Sequence, residues 1–389
     1  MIRQSIVGWA HSQFGKFPNL DVEDLIASVA GGAIADAGIE PSEVDAVFVG
    51  TFNSGFSKQD FASSLAMQSV PELRFKPATR CENACASGSA ALFAARHFLA
   101  AGDGRFALVI GVETMSGATG AEAGDHLLGA SYRREEADIP AGFAGVFGRI
   151  AQTYFQRYGD QSEALARIAA KNHRNGVDNP YAQLRKDLGV EFCRTVGPGN
   201  PLVAAPLRRT DCSPVSDGAA ALVLRNDALG RDLAKSVRVL ACAQANDLLP
   251  MSRRDMTRFE AGEHAWAQAL TAAGLAISDL SFVETHDCFT IAELIEYETM
   301  GLAPRGQGWR AALEGWTARD GRLPVNRSGG LKSKGHPVGA TGVSMHVMAA
   351  MQLVGEASDM QLPVANRGAV YNMGGSGVAN YVSILERAD

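Results

Sequence analysis

The sequence predicts an α/β fold made of two homologous halves, with a further segment inserted into the first. An internal repeat carries this prediction: residues 37–47 (AGIEPSEVDAV) are echoed without a gap by residues 273–283 (AGLAISDLSFV), and a helical pattern precedes both copies. In addition, a helix of small residues followed by a strand occurs at 85–111 and again at 335–385. When two such halves pack together, the N-terminal ends of their helices meet at a shared crevice, where open α/β sheets bind ligands.

The predicted elements follow the same order in both halves. In the first half they are a strand at 2–7, a helix at 21–37 with one apolar face, a strand at 44–49, a helix at 85–99 and a strand at 106–111. In the second half they include a helix before 273, a helix at 343–354 and a strand at 378–385. We assign residues 1–116 and 206–230 to the first half, 117–205 to an inserted loop subdomain and 231–389 to the second half.

The inserted subdomain is predicted to be helical. Residues 143–158 carry a full apolar stripe at helical spacing, and residues 162–175 form a second helix. Core packing within the subdomain is the simplest explanation of the stripe, although its flanks could form a lid over a ligand.

The composition is that of an ordinary globular enzyme. The 389 residues suffice for about two domains, and 46% of them are hydrophobic and 20% charged. A formal net charge of −6 without a dense Lys/Arg tract argues against nucleic-acid binding. We expect no membrane span, because no apolar run approaches the required length, and the N-terminus has the pattern of a strand rather than a signal peptide.

Six cysteines give a further constraint. They form neither a CxxC pair nor a Cys/His spacing typical of zinc, so we expect no metal site. They are too few for a disulfide framework in a chain of this length, and reduced thiols in a cytoplasm fit better.

Cys85 is the predicted nucleophile. In residues 82–89 (ENACASGS) it lies among small residues directly before an apolar helix. Unpaired N–H groups and the positive end of the helix dipole favour a thiolate there, and the same N–H groups could stabilise an oxyanion. The alternative is a small, buried, inert residue.

His286 and His336 are the predicted partners of this thiol. His286 directly follows a strand, in residues 286–289 (HDCF), and His336 lies in the glycine-rich segment 335–342. Side chains at such junctions face a crevice, and a thiol near an imidazole is the usual way to generate a thiolate at neutral pH. The histidines within helical runs fit core packing instead: His97, His264 and His346.

Four segments together resemble the thiolase superfamily of acetyl-CoA acetyltransferases and 3-ketoacyl-CoA thiolases, over essentially the whole chain. They are 85–88 (CASG), 111–116 (GVETMS), 216–220 (SDGAA) and 335–342 (GHPVGATG). The resemblance implies a thiolase-like, duplicated five-layer α-β-α-β-α fold with an inserted loop subdomain. Most thiolases have Asn-Glu-Ala-Phe where this chain has HDCF, which resembles the sterol-carrier-protein-type and archaeal branch.

One departure supports that branch. Most thiolases carry a second catalytic cysteine in a late Cys-x-Gly segment, where this chain has Asn372 in residues 372–374 (NMG). Asparagine cannot abstract a proton. In the resembled branch the cysteine of the HDCF loop is thought to take over the acid/base task, so Cys288 is the predicted base. The alternative for Cys288 is a buried core thiol.

The resemblance implies a CoA-dependent Claisen condensation, or the reverse thiolytic cleavage of a 3-ketoacyl-CoA. His336 takes the proton of Cys85, whose thiolate attacks an acyl-CoA and forms an acyl-cysteine. Cys288 then removes an α-proton from a second acyl-CoA, and His286 and His336 donate to the enolate oxygen. A second oxyanion site uses the backbone N–H groups of Cys85 and of Gly374 or Gly375.

The resemblance also implies the binding partners. They are acyl-CoA and CoA as substrates, with no metal or redox cofactor, and a second copy of the chain in a homodimer or a dimer of dimers. A small OB-fold partner protein stays open. Six basic residues could meet the CoA phosphates, and the sequence does not choose among them: Arg208, Arg209, Arg253, Arg254, Lys332 and Lys334.

Three other functions stay open at this point. A decarboxylating ketoacyl synthase shares the fold and uses Cys-His-His; Cys288 would then be idle, and product formation from malonyl-CoA would decide it. An aldolase-type lyase acts with an OB-fold partner and has tyrosines in its site, so the presence of both cysteines argues against it. A non-catalytic acyl-CoA-binding scaffold is supported only by the missing late cysteine.

Overall fold

The structure, a computed structural model, describes residues 3–388. Its strands are β1 (Gln4–His11), β2 (Ala46–Gly50), β3 (Ala78–Cys81), β4 (Phe106–Glu113), β5 (Leu202–Ala204), β6 (Leu207–Arg208), β7 (Gly218–Asn226), β8 (Val237–Asn246), β9 (Phe282–Thr285), β10 (Arg367–Gly374) and β11 (Ala379–Arg387). The predicted strand at 2–7 is β1, and residue 2 lies outside the described range.

Helices occupy both halves and the segment between them. They are α1 (Val22–Asp36), α2 (Ala62–Ser69), α3 (Ser87–Ala100), α4 (Gly120–Leu127), α5 (Arg133–Glu136), α6 (Phe143–Tyr158), α7 (Ser162–Val177), α8 (Gly189–Arg194), α9 (Glu260–Ala273), α10 (Thr290–Thr299), α11 (Gly308–Leu313), α12 (Gly330–Lys334) and α13 (Thr341–Val354).

Nine strands form one mixed sheet in the order β3-β2-β4-β7-β1-β8-β11-β10-β9. The two halves arrange their strands alike when the sheet is followed inward from its two edges, β3 and β2 on one side and β9 on the other. In both halves two parallel strands, β2 with β4 and β9 with β10, are followed by two antiparallel neighbours. Where the first half has β3, the second has a single parallel bridge between Val283 and Val325. The repeat seen in the sequence is therefore a repeat of structure.

Helices cover the strands from both sides. Along β4 and β7 alternate side chains face opposite cores: Val109 and Leu222 point to the core that contains α3, and Leu108 and Val223 to the core that contains α1. This explains why these strands are apolar throughout. α3 and α13 pack against each other between the half-sheets, and α9 covers β8 and β11 on the far side. The predicted five-layer α-β-α-β-α fold is confirmed.

Glycines allow α3 and α13 to approach backbone to backbone. A Cβ on Gly88 would lie 2.8 Å from the carbonyl oxygen of Gly339 and 2.8 Å from the backbone nitrogen of Val343. The close crossing places Cys85, two residues before α3, beside the loop that precedes α13.

Helices α4 to α8 lie within the predicted insertion at 117–205. The apolar stripe of α6 packs into the main core, where the ring of Phe147 stacks on Phe289 with centroids 4.4 Å apart. The insertion thus contacts the segment that carries His286 and Cys288. The domain boundaries themselves stay a prediction. Among residues 3–388, none of the helices combines the length and the apolar character that crossing a bilayer requires.

Candidate active site

Three loops bring the four predicted side chains together. Cys85 lies two residues before α3, His286 and Cys288 lie between β9 and α10, and His336 lies between α12 and α13. All four are buried, with at most 6% of any of them exposed. The sulfur of Cys85 and one ring nitrogen of each histidine lie within 4.8 Å of one another, and the histidine ring centroids are 5.1 Å apart.

Cys85, Cys288 and His336 line one cavity of about 270 Å³, called here the thiol cavity. Its walls are mostly apolar and come from the insertion as well as from the two halves, for example Phe143 and Phe289. Exclusion of water by such walls strengthens every electrostatic interaction inside.

The thiol of Cys85 is protonated at neutral pH. Burial raises its pKa to about 12, although the backbone N–H groups of Gly375 and of Cys85 itself act in the opposite direction. The loss of hydration outweighs the N–H groups at the N-terminal end of α3, so these groups alone do not yield a thiolate. Attack by this thiol requires a base that takes the proton. The N–H of Gly375 faces the sulfur, and a role of Gly374 stays a prediction.

We expect alkylation of Cys85 by iodoacetamide to accelerate about tenfold per pH unit from pH 7 to pH 10, without a plateau. Only the thiolate reacts, and with a pKa of about 12 its fraction keeps rising over this whole range. Timed quenching followed by peptide mass spectrometry measures the rate. A plateau already reached between pH 7 and pH 8 would mean that the thiolate is the resting form.

His336 has a ring nitrogen that can accept such a proton. Its Nδ1 lies 2.7 Å from Oγ1 of Thr341, and this hydroxyl donates to the backbone carbonyl of Pro337 at 3.0 Å. The single proton of the hydroxyl is thereby used, so Thr341 accepts from Nδ1–H and Nε2 keeps a lone pair. Burial, and then the positive charge of Lys334, lower the pKa of His336 to about 3, so the ring is neutral at pH 7.

His286 and Cys288 lie on the other side of the site. Nδ1 of His286 is 2.9 Å from Nδ2 of Asn372, and its Nε2 is buried with no hydrogen-bond partner in residues 3–388. Burial lowers the pKa of His286 well below its usual value. Burial raises the pKa of Cys288 well above its usual value, and the charge of an ionised Cys85 raises it further.

Two buried carboxyl groups position these loops, and the sequence reasoning missed both. Asp287 accepts hydrogen bonds from the N–H of Leu331 at 2.6 Å and from Nδ2 of Asn172 at 2.7 Å, which holds the HDCF loop against α12. Glu113 accepts from the N–H of Gly339 at 3.1 Å and so holds the loop after His336. Glu113 lies inside one of the four matched segments and Asp287 inside the HDCF loop, and that is the only signal the sequence offered.

A second, larger cavity adjoins the thiol cavity and is called here the cationic cavity. Its volume is about 540 Å³, and both cavities are walled by residues 212–215. Four cations line it, and within the described chain no Asp or Glu does: Lys16, Lys186, Arg209 and Lys332. Such a lining favours an anionic ligand. Lys334, in contrast, is fully buried and cannot reach a ligand in solution.

Cys85, His286 and His336 also have the donor types of a three-ligand metal site. Both Nδ1 atoms are held by other side chains, so the two Nε2 atoms and the sulfur would be the ligands. The absence of a metal cofactor stays a prediction.

Comparison with known proteins identifies both halves. Residues 5–194 match the family model of the thiolase N-terminal domain, and residues 243–387 match the thiolase C-terminal domain-like model. The chain is 37% identical to the acetyl-CoA acetyltransferase of Methanothermobacter thermautotrophicus, over 98% of this chain and 99% of that protein. The chain belongs to the thiolase family. The resemblance predicted from four short segments is confirmed.

This thiolase has relatives in the predicted branch. It is 32% identical to sterol carrier protein 2 of Homo sapiens, over 96% of its own length and 70% of that protein. Among solved structures it is similar to the Ltp2-ChsH2(DUF35) aldolase (TM-score 0.83, 22% identity, 99% of this chain and 98% of that one). It is also similar to the Acat5 thiolase of Ascaris suum in complex with coenzyme A (TM-score 0.73, 18% identity, 99% and 100%). At these identities the structures support the fold alone.

Proposed function

We propose that this thiolase is an acyltransferase that condenses two acyl-CoA molecules, or cleaves a 3-ketoacyl-CoA, through an acyl group on Cys85. The observation that carries the proposal is the thiol cavity, where two thiols and the free nitrogen of a neutral imidazole meet inside apolar walls. Two relatives with 37% and 33% identity are named acetyl-CoA acetyltransferases, which supports acetyl transfer.

The first half-reaction acylates Cys85. Nε2 of His336 takes the thiol proton as Sγ attacks the thioester carbonyl, and the departing CoA thiolate takes that proton and leaves as CoA–SH. The N–H groups of Gly375 and Cys85 face the sulfur and are placed to stabilise the oxyanion of the tetrahedral intermediate.

The second half-reaction forms the carbon–carbon bond. An acylated Cys85 cannot ionise, so its sulfur carries no charge that would oppose ionisation of Cys288. Nε2 of His336, free again once CoA–SH has left, takes the proton of Cys288, and the Cys288 thiolate takes an α-proton from the second acyl-CoA. The enolate carbon attacks the acyl-cysteine carbonyl, and the Cys85 thiolate that is released takes the proton back from His336. A thiolate whose pKa is raised by burial is a stronger base toward a weakly acidic C–H bond. Thiolysis follows the same steps backwards.

The cationic cavity supports binding of the phosphates of CoA beside the thiol cavity. Lys332 is buried at its wall, and Arg209 lies on the segment that leads to residues 212–215. A phosphate at these cations would leave the thioester end of the same ligand free to enter the neighbouring thiol cavity.

The acyl-enzyme tests the proposal directly. We expect the purified protein incubated with acetyl-CoA to gain one acetyl group on the peptide that contains Cys85, and Cys85→Ala to gain none at that position. Intact and peptide mass spectrometry measure both. If neither acetyl-CoA nor a panel of longer acyl-CoAs yields an acyl-enzyme, the mechanism is wrong, and the lyase and scaffold alternatives gain weight.

The assembly and the location stay proposals. The edge of β3 away from β2 is unpaired within residues 3–388, and Phe75, three residues before β3, is 88% exposed. Both features support pairing with a second copy of the chain as a homodimer. An OB-fold partner and a role in lipid metabolism are further proposals. All six cysteines are unpaired with one another, which supports a reducing compartment such as the cytoplasm.

A further inference from the structure

The side chain of Asn372 joins three elements of the site. It is fully buried. The resemblance to thiolases places it where most of them have a second catalytic cysteine. Its Oδ1 accepts from Oγ of Ser89 at 2.7 Å, and its Nδ2 lies 3.3 Å from the backbone carbonyl oxygen of Cys85 and 2.9 Å from Nδ1 of His286.

The carbonyl of Cys85 fixes the orientation of this amide. A backbone carbonyl can only accept a hydrogen bond, so the nitrogen of the Asn372 amide, and not its oxygen, must face it. The same nitrogen is the atom next to Nδ1 of His286. An amide nitrogen only donates, and Nδ1 of His286 is therefore an acceptor.

An acceptor at Nδ1 places the ring proton of neutral His286 on Nε2. This Nε2–H is buried and has no partner among the described residues. One ring nitrogen of His286 lies within 4.8 Å of the sulfur of Cys85 and of a ring nitrogen of His336, and Nδ1 of His286 is held by Asn372. The arrangement leaves one strong donor in the site that none of the described residues satisfies and that an oxygen atom of a bound substrate can.

His336 has the opposite tautomer. Thr341 accepts from its Nδ1–H, and its Nε2 therefore has a lone pair. The ring centroids of the two histidines are 5.1 Å apart. Their different neighbours leave His336 able to accept a proton at Nε2 and His286 able to donate a hydrogen bond from Nε2.

We propose that Asn372 is a positioning residue that holds His286 as the Nε2–H tautomer, so that His286 donates to the enolate oxygen formed during condensation. This inference rests on the proposed function, because it assigns a role within that reaction. The proposal assigns Asn372 a role in orienting His286, at the position where most thiolases have a cysteine. It also predicts that the acylation of Cys85, which uses other donors, depends little on Asn372.

The tautomer can be read by NMR of protein with ¹⁵N-labelled histidine rings, with His286→Gln to assign the signals. In the wild type we expect protonated Nε2 and unprotonated Nδ1 at His286. In Asn372→Asp an acceptor replaces the donor, and we expect the proton to move to Nδ1. Condensation should then fall about 100-fold, the effect of losing one oxyanion donor, while the rate of Cys85 acetylation stays within about tenfold.

Asn372→Ala removes the same N–H without adding a buried charge, and serves where the aspartate variant does not fold. We expect a mixture of tautomers and at least a tenfold loss of condensation. Wild-type His286 with its proton on Nδ1 would overturn the proposal, and so would undiminished condensation in both variants. Failure of the wild type to form an acyl-enzyme would instead contradict the proposed function, and the tautomer is measured independently of that result.

Discussion

Cys288→Ala is expected to reduce acetoacetyl-CoA formation from acetyl-CoA by about 10³-fold while leaving the acetylation of Cys85 within about threefold of the wild type. A positioned general base contributes about 10²- to 10⁴-fold, and Asn372, at the place of the usual second cysteine, cannot take over. Cys288 lines the same cavity as Cys85. In the proposed mechanism it is not needed to remove the thiol proton, which goes to His336. Burst kinetics of CoA release together with product formation separate the two half-reactions.

Cys242→Ala is the matched control for this variant. Cys242 is a half-buried thiol on β8, 3.5 Å from Oγ of Ser383, outside the thiol cavity. We expect both half-reactions of this variant within about twofold of the wild type. If Cys288→Ala condenses acetyl-CoA at full rate, Cys288 is idle, and product formation from malonyl-CoA would then favour a decarboxylating synthase.

Gly339→Ala is expected to lower the free energy of unfolding by about 3 kcal/mol or more and to remove most activity. An added Cβ would lie 2.6 Å from Cα of Thr51 and 2.8 Å from Oε2 of Glu113, and closer still to the carbonyl oxygen of Val112. Backbone atoms cannot move aside as a flexible side chain can. The loop that contains Gly339 would have to shift, and it would move His336, which lies three residues before Gly339.

Urea titration followed by circular dichroism measures this effect, with Gly117→Ala as the control. A Cβ on Gly117 would meet nothing within 4 Å, and the residue is exposed, so we expect a change within about 0.5 kcal/mol. An unfolding free energy for Gly339→Ala equal to that of the control would show that the contact between this loop and β4 is not close in solution.

Much of the site could be predicted from the sequence because its residues lie next to recognisable helix starts, strand ends and glycine-rich loops. Cys85 precedes a small-residue helix, His286 follows a strand, and His336 lies in a glycine-rich loop, and the internal repeat predicts that such junctions meet. The positioning carboxylates were not readable in the same way. Asp287 contacts Leu331, and Glu113 contacts Gly339, so their partners are far away in the sequence.

By itself, the sequence determined the duplicated α/β class, the family and the identity of the four central side chains, since these follow from local pattern and from short motifs. The tertiary structure decided their protonation. Burial, which no local pattern reports, raises the pKa of Cys85 and lowers that of His336. Which nitrogen of each histidine carries the proton depends on Thr341 in one case and on Asn372, 86 positions away, in the other. Both contacts lie within the second half, and they exist only once its loops have folded against one another.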